Sequence, residues 1–343
     1  MTPESIEDFE VCIEAIFSIL SKNDLCYLRM AYQVILGREA DPDGLKFWDN
    51  QLKSGMSRNA VIDQMMQSIE FQTLHPSGTE FLTPTGRVLV ELPEFKIWAM
   101  TNDSAVGSTI IKTKNYEPHL TKAILKHLNS DDVFLDIGAN IGYFTLLAAS
   151  IVKDAGKVIS FEPNPENLQF LYSSIVENQF DNITIYPFAA SISRQILTLT
   201  NGGSSSRIVD ADVLPKKSCY FVPSMAVDEL LQHEKQINVI KIDVEGHEPL
   251  AICGMDRLIK KHKPIIFTEF HPWLMRSFTK TEPQEYLEQI VQYGYRLSIL
   301  QFEGLGGEIT EAPDTTFVMN FWQNLGKAMN YDKIHLDLMA LPL

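Results

Sequence analysis

Residues 133–149 read VFLDIGANIGYFTLLAA and residues 159–171 read ISFEPNPENLQFL. Each stretch opens with a short apolar run typical of a buried strand, passes through a turn that contains Gly, Asn or Pro, and ends in a helical pattern. Strand, turn and helix in this order form the repeating unit of a parallel sheet whose two faces are covered by helices. The two stretches therefore predict a doubly wound α/β domain.

The same alternation extends in both directions from this pair of units. Predicted helices cover 118–129, 141–152, 165–178, 227–233, 248–260 and 283–292, and predicted strands cover 133–136, 157–161, 183–187, 195–199, 238–242, 264–269, 295–300 and 315–321. Three further β-rich pieces precede them at 87–92, 95–100 and 108–112. We expect a mostly parallel, Rossmann-like sheet.

The first 75 residues follow a different pattern. Apolar residues recur at helical spacing over 25–36, after the turn at 41–44 and again beyond Ser57, which favours a small all-α domain. At 343 residues the chain also exceeds the size at which a single core stops growing, about 250–300 residues. We therefore assign residues 1–75 to a helical accessory module, 76–86 to a linker and 87–343 to the α/β domain.

Charge and composition narrow the classes of partner. The formal net charge is -15, from 44 acidic and 29 basic residues, whereas proteins that bind nucleic acids or anionic membranes present basic surfaces. The four cysteines form no C-x-x-C pair, which argues against a zinc knuckle or a disulfide framework. The N-terminus carries acidic residues rather than the basic residues of a signal peptide. We expect a cytoplasmic protein with no nucleic-acid partner and no membrane span.

Polar residues at two strand ends indicate a nucleoside cofactor. Asp136 ends the first strand before the loop 137–142, and Glu162 ends the second strand. Ligands of such sheets bind beyond the carboxyl ends of the strands, where an acid after the second strand hydrogen-bonds the ribose hydroxyls. A dinucleotide site usually has G-x-G-x-x-G to cradle a diphosphate, but this loop is D-x-G-x-x-x-G. It fits a nucleoside that carries a cationic amino acid, as S-adenosyl-L-methionine does.

Polar residues at two later strand ends are candidates for catalysis. Asp243, Glu245 and His247 follow one buried strand, and Glu269 and His271 end the next. Methylation of a hydroxyl needs in-line positioning and a base that takes the proton, and each of these residues could serve. We place Asp243 in the pocket for methyl donor and acceptor, with Glu245 or His271 as the base. The same groups could bind Mg²⁺ or Mn²⁺, but carboxylates at a sheet edge more often make hydrogen bonds, so no metal is assigned.

Four ordered motifs resemble the FkbM family of S-adenosylmethionine-dependent methyltransferases. They are VFLDIGANIGYFTLLAA, ISFEPNPENLQFL, NVIKIDVEGHEPLAICGM at 238–255 and PIIFTEFHP at 264–272, preceded by NYEPHLTKAI at 115–124. The resemblance covers about residues 105–325. It implies the class I methyltransferase fold, with seven strands and an antiparallel strand near the C-terminus, and O-methylation of a sugar or another natural-product hydroxyl.

The resemblance also implies which residues bind the cofactor. Phe188, Ala189 and Ala190 would flank adenine after the third strand, and Tyr116 and Glu117 would lie near the mouth of the site. Many other methyltransferases have an acid beside adenine, so in this chain backbone atoms must serve there. The other residues assigned to the cofactor are Asp136, Gly138, Asn140, Gly142, Glu162, Asn164 and Asp243.

A second resemblance lies in the N-terminal part of the chain. The segments LGREADPDGLKFW at 36–48, GMSRNAV at 55–61 and SIEF at 68–71 are similar to a family of short helical modules of unknown function. Such modules are commonly joined to bacterial enzymes that act on glycans. The resemblance implies an accessory role, in which the module contacts a partner protein or the second domain.

Together these features predict an S-adenosylmethionine-dependent methyltransferase that acts on a hydroxyl of a sugar, a glycan intermediate or a related natural product. Two other classes remain open from the sequence. A NAD-dependent Rossmann-type oxidoreductase would use the same sheet and Glu162. A catalytically silent nucleoside-binding module would tolerate the loss of Asp243 and Glu269.

Overall fold

The chain forms two compact units, Met1–Thr85 and Gly86–Leu343. The computed structural model describes residues 40–56 and 86–343, apart from 102, 104, 201, 203, 204, 210–218 and 301–308, and also describes residues 24, 25, 28, 31, 32, 36, 38, 60, 61, 64, 65, 68 and 70. Apart from Gly86, the predicted linker at 76–86 lies outside the described residues.

The first unit is helical over most of its described residues. Helix α1 spans Pro42–Lys53, and its N-cap Asp41 accepts a hydrogen bond from the Gly44 amide at 2.7 Å. Described residues within the predicted helix 25–36 are helical as well. The buried apolar side chains of this unit are Leu28, Ala31, Tyr32, Leu36, Leu45, Val61 and Met65. Helical spacing of apolar residues thus produces a helical unit with a buried apolar side, as expected.

The second unit alternates strands and helices. Its helices are α2 (Val106–Thr113), α3 (Pro118–His127), α4 (Tyr143–Val152), α5 (Pro165–Asn178), α6 (Val227–Leu230), α7 (Glu248–Cys253), α8 (Asp256–His262), α9 (Pro283–Gln292) and α10 (Thr315–Met329). Its strands are β1 (Arg87–Glu91), β2 (Lys96–Met100), β3 (Val133–Ile137), β4 (Lys157–Phe161), β5 (Ile183–Tyr186), β6 (Ala189–Ala190), β7 (Gln195–Thr200), β8 (Ile208–Val209), β9 (Cys219–Met225), β10 (Val239–Ile242), β11 (Ile265–Phe270), β12 (Tyr295–Leu300), β13 (Ile309–Ala312) and β14 (Leu336–Pro342).

The main sheet has the strand order β13-β12-β14-β11-β10-β3-β4-β5. The five strands from β11 to β5 are parallel, and β14 lies antiparallel between β11 and β12. Seven of these strands have the arrangement expected for a class I methyltransferase fold. The eighth, β13, pairs antiparallel with β12 at the edge and was not predicted. All described residues of β10 and most of β3 are buried, because both faces of this part of the sheet are covered.

The connections of the sheet locate its crevice. The chain runs outward from β3 through β4 to β5, and then returns to place β10 on the other side of β3. Strand order therefore reverses beside β3, and ligands bind at such a switch point, beyond the carboxyl ends of the strands. The site residues should consequently follow β3, β4 and β10.

Two segments predicted as β-structure are helical. Residues 108–112 lie in α2, where Asp103 accepts hydrogen bonds from the Gly107 amide at 2.7 Å and the Ala105 amide at 3.1 Å. Residues 315–321 lie in α10, where the N-cap Asp314 accepts from the Phe317 amide at 2.8 Å. In both cases an aspartate before the apolar run satisfies free amides of the first turn and thereby favours a helix. The antiparallel strand is β14 instead.

Two other predicted elements differ from the expectation: one strand lies in another sheet, and one helix is divided in two. The strand predicted at 195–199 is β7, which belongs to a separate four-stranded sheet of order β6-β9-β7-β8. The helix predicted at 248–260 is divided into α7 and α8 near Gly254. A Cβ at Gly254 would lie 2.0 Å from the Ser191 carbonyl oxygen, so the backbones approach closely at this break. Among the described helices, none is both long and apolar enough to cross a membrane.

Candidate active site

The loop after β3 is fixed to both neighbouring strands. The amides of Gly138 and Ala139 donate to the Phe161 carbonyl at the end of β4, at 2.9 and 3.0 Å, and the Asp243 amide beyond β10 donates to the Ile137 carbonyl at 3.0 Å. Gly138 has a φ of 83°, and a Cβ there would lie 1.9 Å from the Asp243 carbonyl oxygen. Only glycine fits this position. It allows the loop to pass close to the backbone, so that the ends of β3, β4 and β10 come together.

Glu162 is fixed just beyond the end of β4. Its Oε2 accepts from the Asn140 amide at 2.7 Å, and its Oε1 accepts from the Asn164 amide at 2.8 Å and from Asn167 Nδ2 at 3.3 Å. Burial raises the pKa of Glu162 to about 7, although these hydrogen bonds act in the opposite direction. The carboxyl group is therefore held in one orientation by the loop and by the start of α5.

A buried lysine lies beneath the loop. Lys241 pairs in register with Asp136 across β10 and β3, and its Nζ donates to the Gly138 carbonyl at 3.0 Å. The same Nζ lies 3.3 Å from Asp243 Oδ2 and 3.7 Å from Asp136 Oδ1. Burial acts to lower the pKa of Lys241, but the charges of Asp243 and Asp136 outweigh it and raise the pKa. Sequence reasoning missed this residue, although a lysine within an apolar strand was a visible signal.

Asp136 lies behind the site rather than in it. It is fully buried, and its Oδ2 accepts from Thr145 Oγ1 at 2.7 Å. Its Oδ1 has no hydrogen-bond partner among the described residues. Burial raises its pKa, and the charge of Lys241 opposes this rise. Asp136 thus acts on the site through Lys241, not by direct contact with the cavity.

One cavity brings most of the predicted residues together. The predicted residues that line it are Tyr116, Gly138, Asn140, Glu162, Ala189, Asp243 and Glu245. Leu199 and Ile208 of the small sheet and the neighbouring Ser205 and Ser206 also line it, and sequence reasoning missed all four. The described lining residues include acids but neither Lys nor Arg. Such a lining suits hydroxyl and cationic groups better than a phosphate.

Besides Asp136, three residues assigned to the cofactor do not line this cavity. Gly142 begins α4 with a φ of 99°, and a Cβ there would lie 2.4 Å from Leu171 Cδ1, so it serves helix packing. Asn164 caps α5, because its side chain accepts from the Glu166 amide at 2.9 Å. Glu117 is half-buried, and its buried Oε2 has no hydrogen-bond partner among the described residues. Burial raises its pKa well above the usual range, as does the charge of nearby Asp337 to a smaller extent.

Three of the five catalytic candidates line the cavity. Asp243 follows β10 and is paired with Lys241, as described above. Glu245 has a φ of 55°, and its Oε2 accepts from Arg207 Nε at 3.1 Å. Burial, followed by the charge of Asp243, raises the pKa of Glu245. His247 also lines the cavity, and burial lowers its pKa to about 4.

The other two candidates lie on the far side of Asp243. Glu269 is the fifth residue of β11, and its Oε1 lies 3.7 Å from His335 Nδ1. His271 caps the short helix Pro272–Leu274, with a long hydrogen bond of 3.5 Å from the Leu274 amide to its Nδ1. Burial lowers the pKa of His271 to about 4, so its ring is neutral near pH 7. Neither residue is among those that line the cavity.

Known proteins show similarities to both units. The hexuronic acid methyltransferase AglP of Haloferax volcanii is 26% identical over 159 residues, which are 45% of this chain and 62% of that protein. The crystal structure of a methyltransferase FkbM from Methylobacillus flagellatus KT is 16% identical, with coverage of 90% of this chain and 58% of that chain and a TM-score of 0.38. A putative methyltransferase from Streptococcus mutans in complex with SAH is 6% identical, with coverage of 66% and 98% and a TM-score of 0.36.

Matches to family models cover the site itself. Residues 19–75 match a domain of unknown function, DUF4214, and residues 136–297 match the methyltransferase FkbM domain. The second match begins at Asp136 and includes Glu162, Asp243 and Glu269. By these matches residues 136–297 contain a methyltransferase FkbM domain, and residues 19–75 contain a DUF4214 domain before it.

Proposed function

We propose that this protein transfers a methyl group from S-adenosyl-L-methionine to a hydroxyl of a sugar, a glycan intermediate or a related natural product. The observation that carries the proposal is the placement of Glu162 and Asp243. They follow the strands on either side of β3, with the Gly138 loop between them, and both line one cavity. This pairs an acceptor for ribose hydroxyls with an acceptor for a cationic group.

The residues present fit this cofactor. Three protein donors contact Glu162, and a carboxylate offers about four acceptor positions, so a further hydroxyl donor can bind. Phe188 and Ala189 provide an apolar wall suited to adenine. When bound, the cofactor supplies an electrophilic methyl group on a positively charged sulfur. The acids at the strand ends favour that charge by electrostatic attraction.

Among the chain's own residues, Glu245 is the best placed to take the proton from the acceptor hydroxyl. It lines the cavity, and its raised pKa makes it a stronger base than an ordinary carboxylate. Arg207 fixes its orientation. His271, the other base considered from the sequence, lies outside the cavity lining, so we assign it to the support of the short helix after β11.

The acceptor class is supported by similarity and by charge. The curated relative named above is a hexuronic acid methyltransferase, which acts on a sugar derivative. The formal charge of -15 disfavours a nucleic-acid acceptor, because phosphate backbones require basic surfaces. A carbohydrate acceptor and the absence of a nucleic-acid partner both remain part of the proposal.

Cofactor binding provides the first test. By calorimetry the full chain should bind S-adenosylhomocysteine, and Glu162→Ala should weaken this binding at least tenfold, because the ribose loses its acceptor. Glu177→Ala is the matched control, since this partly exposed acid of α5 pairs with Lys96. Binding of NAD without S-adenosylhomocysteine, or equal affinity in both variants, would contradict the proposal.

Product analysis provides the second test. The chain is incubated with methyl-labelled S-adenosylmethionine and glycan extracts from the source cells, and labelled products are identified by mass spectrometry. We expect label on a carbohydrate oxygen, and its loss in Glu245→Gln. Label that appears only in nucleic acid would contradict the acceptor class.

A further inference from the structure

Three carboxylates from different elements meet beside the cavity. Asp243 follows β10, Glu248 is the first residue of α7, and Glu269 lies in β11. One oxygen from each of the three residues lies within 4.8 Å of those from the other two. Glu248 is fully buried, and the side chain of Glu269 is 13% exposed. Like charges placed this close, away from water, must be neutralised either by protons or by a bound cation.

Two oxygens of this carboxylate cluster lack protein partners. Oε1 of Glu248 accepts from the amides of Val244 at 2.9 Å and Gly246 at 3.2 Å. Oε2 of Glu248 and Oε2 of Glu269 are buried without a hydrogen bond from any described residue. A buried acceptor without a donor is unfavourable, because it has lost its hydrogen bonds to water. These two oxygens without a donor therefore favour a ligand that accepts an electron pair.

Protein cations nearby do not neutralise the cluster. Lys241 lies 3.3 Å from Asp243, but it is shared with Asp136. His335 lies 3.7 Å from Glu269 and is charged only when protonated. No ion pair joins Glu248 to a cation among the described residues. At least one charge of the cluster thus has no counterpart in the protein.

We propose that Asp243, Glu248 and Glu269 bind a hard divalent cation. Oxygen ligands are those preferred by Mg²⁺, Mn²⁺ and Ca²⁺. Opposite ligands are separated by twice the metal–oxygen distance, about 4.2 Å for Mg²⁺ and about 4.6–5.2 Å for Ca²⁺. The three oxygens all lie within 4.8 Å of one another, so they are close enough to contact one ion of the size of Ca²⁺, and a smaller ion would draw them closer together. Water or a substrate oxygen would complete the coordination.

The position of this cation site suggests a role. Asp243 belongs to the carboxylate cluster and also lines the cavity, so an ion bound there would lie at the edge of the cavity. It would hold the acceptor oxygen and lower the pKa of the acceptor hydroxyl. This role rests on the proposed methyl transfer, whereas binding of the ion does not.

Binding of Mn²⁺ alone tests the inference. The full-length protein, freed of metal by chelation and without cofactor, is titrated with Mn²⁺, and the fall of the free-ion signal is followed by electron paramagnetic resonance. We expect one ion per chain, at least tenfold weaker binding in Glu248→Gln and Glu269→Gln, and displacement by Mg²⁺ or Ca²⁺. Glu229→Gln, which removes a surface acid paired with Arg194, is the matched control and should bind as the wild type does.

Several outcomes separate this inference from the proposed function. Absence of binding at millimolar Mn²⁺, or equal binding in all variants, overturns the cation site whether or not methyl transfer occurs. Binding that is lost in Glu269→Gln supports the site even if Glu248→Gln fails to fold, as judged by circular dichroism. Binding of Mn²⁺ by a chain that binds no S-adenosylhomocysteine supports the site and overturns the proposed function.

Discussion

Gly138 and Lys241 act together at the switch point of the sheet. Gly138 allows the loop after β3 to pass against the backbone of Asp243, and Lys241 places its charge between Asp136 and Asp243. Gly138 avoids a steric clash with the Asp243 backbone, and Lys241 reduces the repulsion between the carboxylates of Asp136 and Asp243. The cavity depends on both, because Glu162 is oriented by the same loop through the Asn140 amide.

Gly138→Ala tests the steric part. A Cβ at this position would meet the Asp243 carbonyl oxygen at 1.9 Å, so the loop must move. We expect a loss of more than about 2 kcal/mol in the free energy of unfolding and a marked loss of cofactor affinity. Gly294→Ala is the control, because it has a similar φ of 80° but meets only the flexible end of Lys263 at 3.3 Å. Equal effects in urea unfolding would contradict the role given to Gly138.

Lys241→Met tests the electrostatic part. Removing one partner of a buried ion pair costs about 3–5 kcal/mol, because the remaining charge is left uncompensated. Without Lys241 the pKa of Asp136 rises further, so the folded state binds more protons than the unfolded state and its stability falls as pH rises. Urea unfolding at a lower and a higher pH should therefore show the larger loss at the higher pH. Lys157→Met breaks a more exposed pair with Glu234 and should cost about 1 kcal/mol or less at either pH.

At the level of elements, apolar periodicity predicted most of the second unit. The helices predicted at 165–178 and 283–292 coincide with α5 and α9. Apolar periodicity predicted the wrong element where a short apolar run had no clear period, as at 108–112 and 315–321. There the choice between helix and strand was made by a capping aspartate outside the run. Capping residues therefore deserve the same weight as the apolar pattern.

The candidate site was predictable to the extent that it lies at strand ends. Glu162, Asp243 and Glu245 come together because parallel strands place their carboxyl ends at one edge of the sheet. Lys241 was missed because it lies inside a strand that was interpreted as apolar and buried. Leu199 and Ile208 were missed because they belong to a second sheet, in which β9 pairs with both β6 and β7, and single-sequence patterns carry no information on such pairing.

The cap of α10 supplies a prediction at this scale. Asp314→Ala should reduce the free energy of unfolding by about 1 kcal/mol, because the Phe317 amide loses its acceptor. Asp314→Asn retains an acceptor and should behave nearly as the wild type does. Asp332→Ala, an exposed acid outside the helix, controls for the loss of charge. Urea unfolding followed by the fluorescence of Trp322, which lies in α10, would detect the change. A full effect in Asp314→Asn would contradict the capping role.

At the level of the whole molecule, the acidic balance includes charges concentrated inside the second unit. Part of the formal charge of -15 comes from the buried Asp136, Glu162 and Glu248 and the half-buried Glu117, near the carboxyl ends of the strands. Burial raises the pKa of all four. Two buried histidines, His247 and His271, show the opposite shift. Stability should therefore depend on pH through two opposing sets of groups.

The two sets act in different pH ranges. The histidines have a pKa of about 4 when folded and about 6.5 when unfolded, so they make stability rise with pH, mainly between these values. The carboxyls bind more protons in the folded state, so they make stability fall as pH rises. For Glu162 and Glu248 this range extends from about 4.5 to about 7, and burial shifts the pKa of Glu117 in the same direction. Above pH 7 the contribution of the carboxyls is the larger one.

We therefore expect the free energy of unfolding of the second unit to fall by about 0.5 kcal/mol between pH 7 and pH 8.5 in the presence of chelator. Urea unfolding can be followed by tryptophan fluorescence, since Trp98, Trp273 and Trp322 belong to this unit. Glu162→Gln should flatten the fall, because its carboxyl, with a pKa of about 7, loses its proton in this range, whereas Glu229→Gln on the surface should leave it unchanged. A free energy of unfolding that stays level or rises over the same range would show that these carboxyls are ionised at neutral pH. Their charge would then have to be balanced within the protein by more than Lys241.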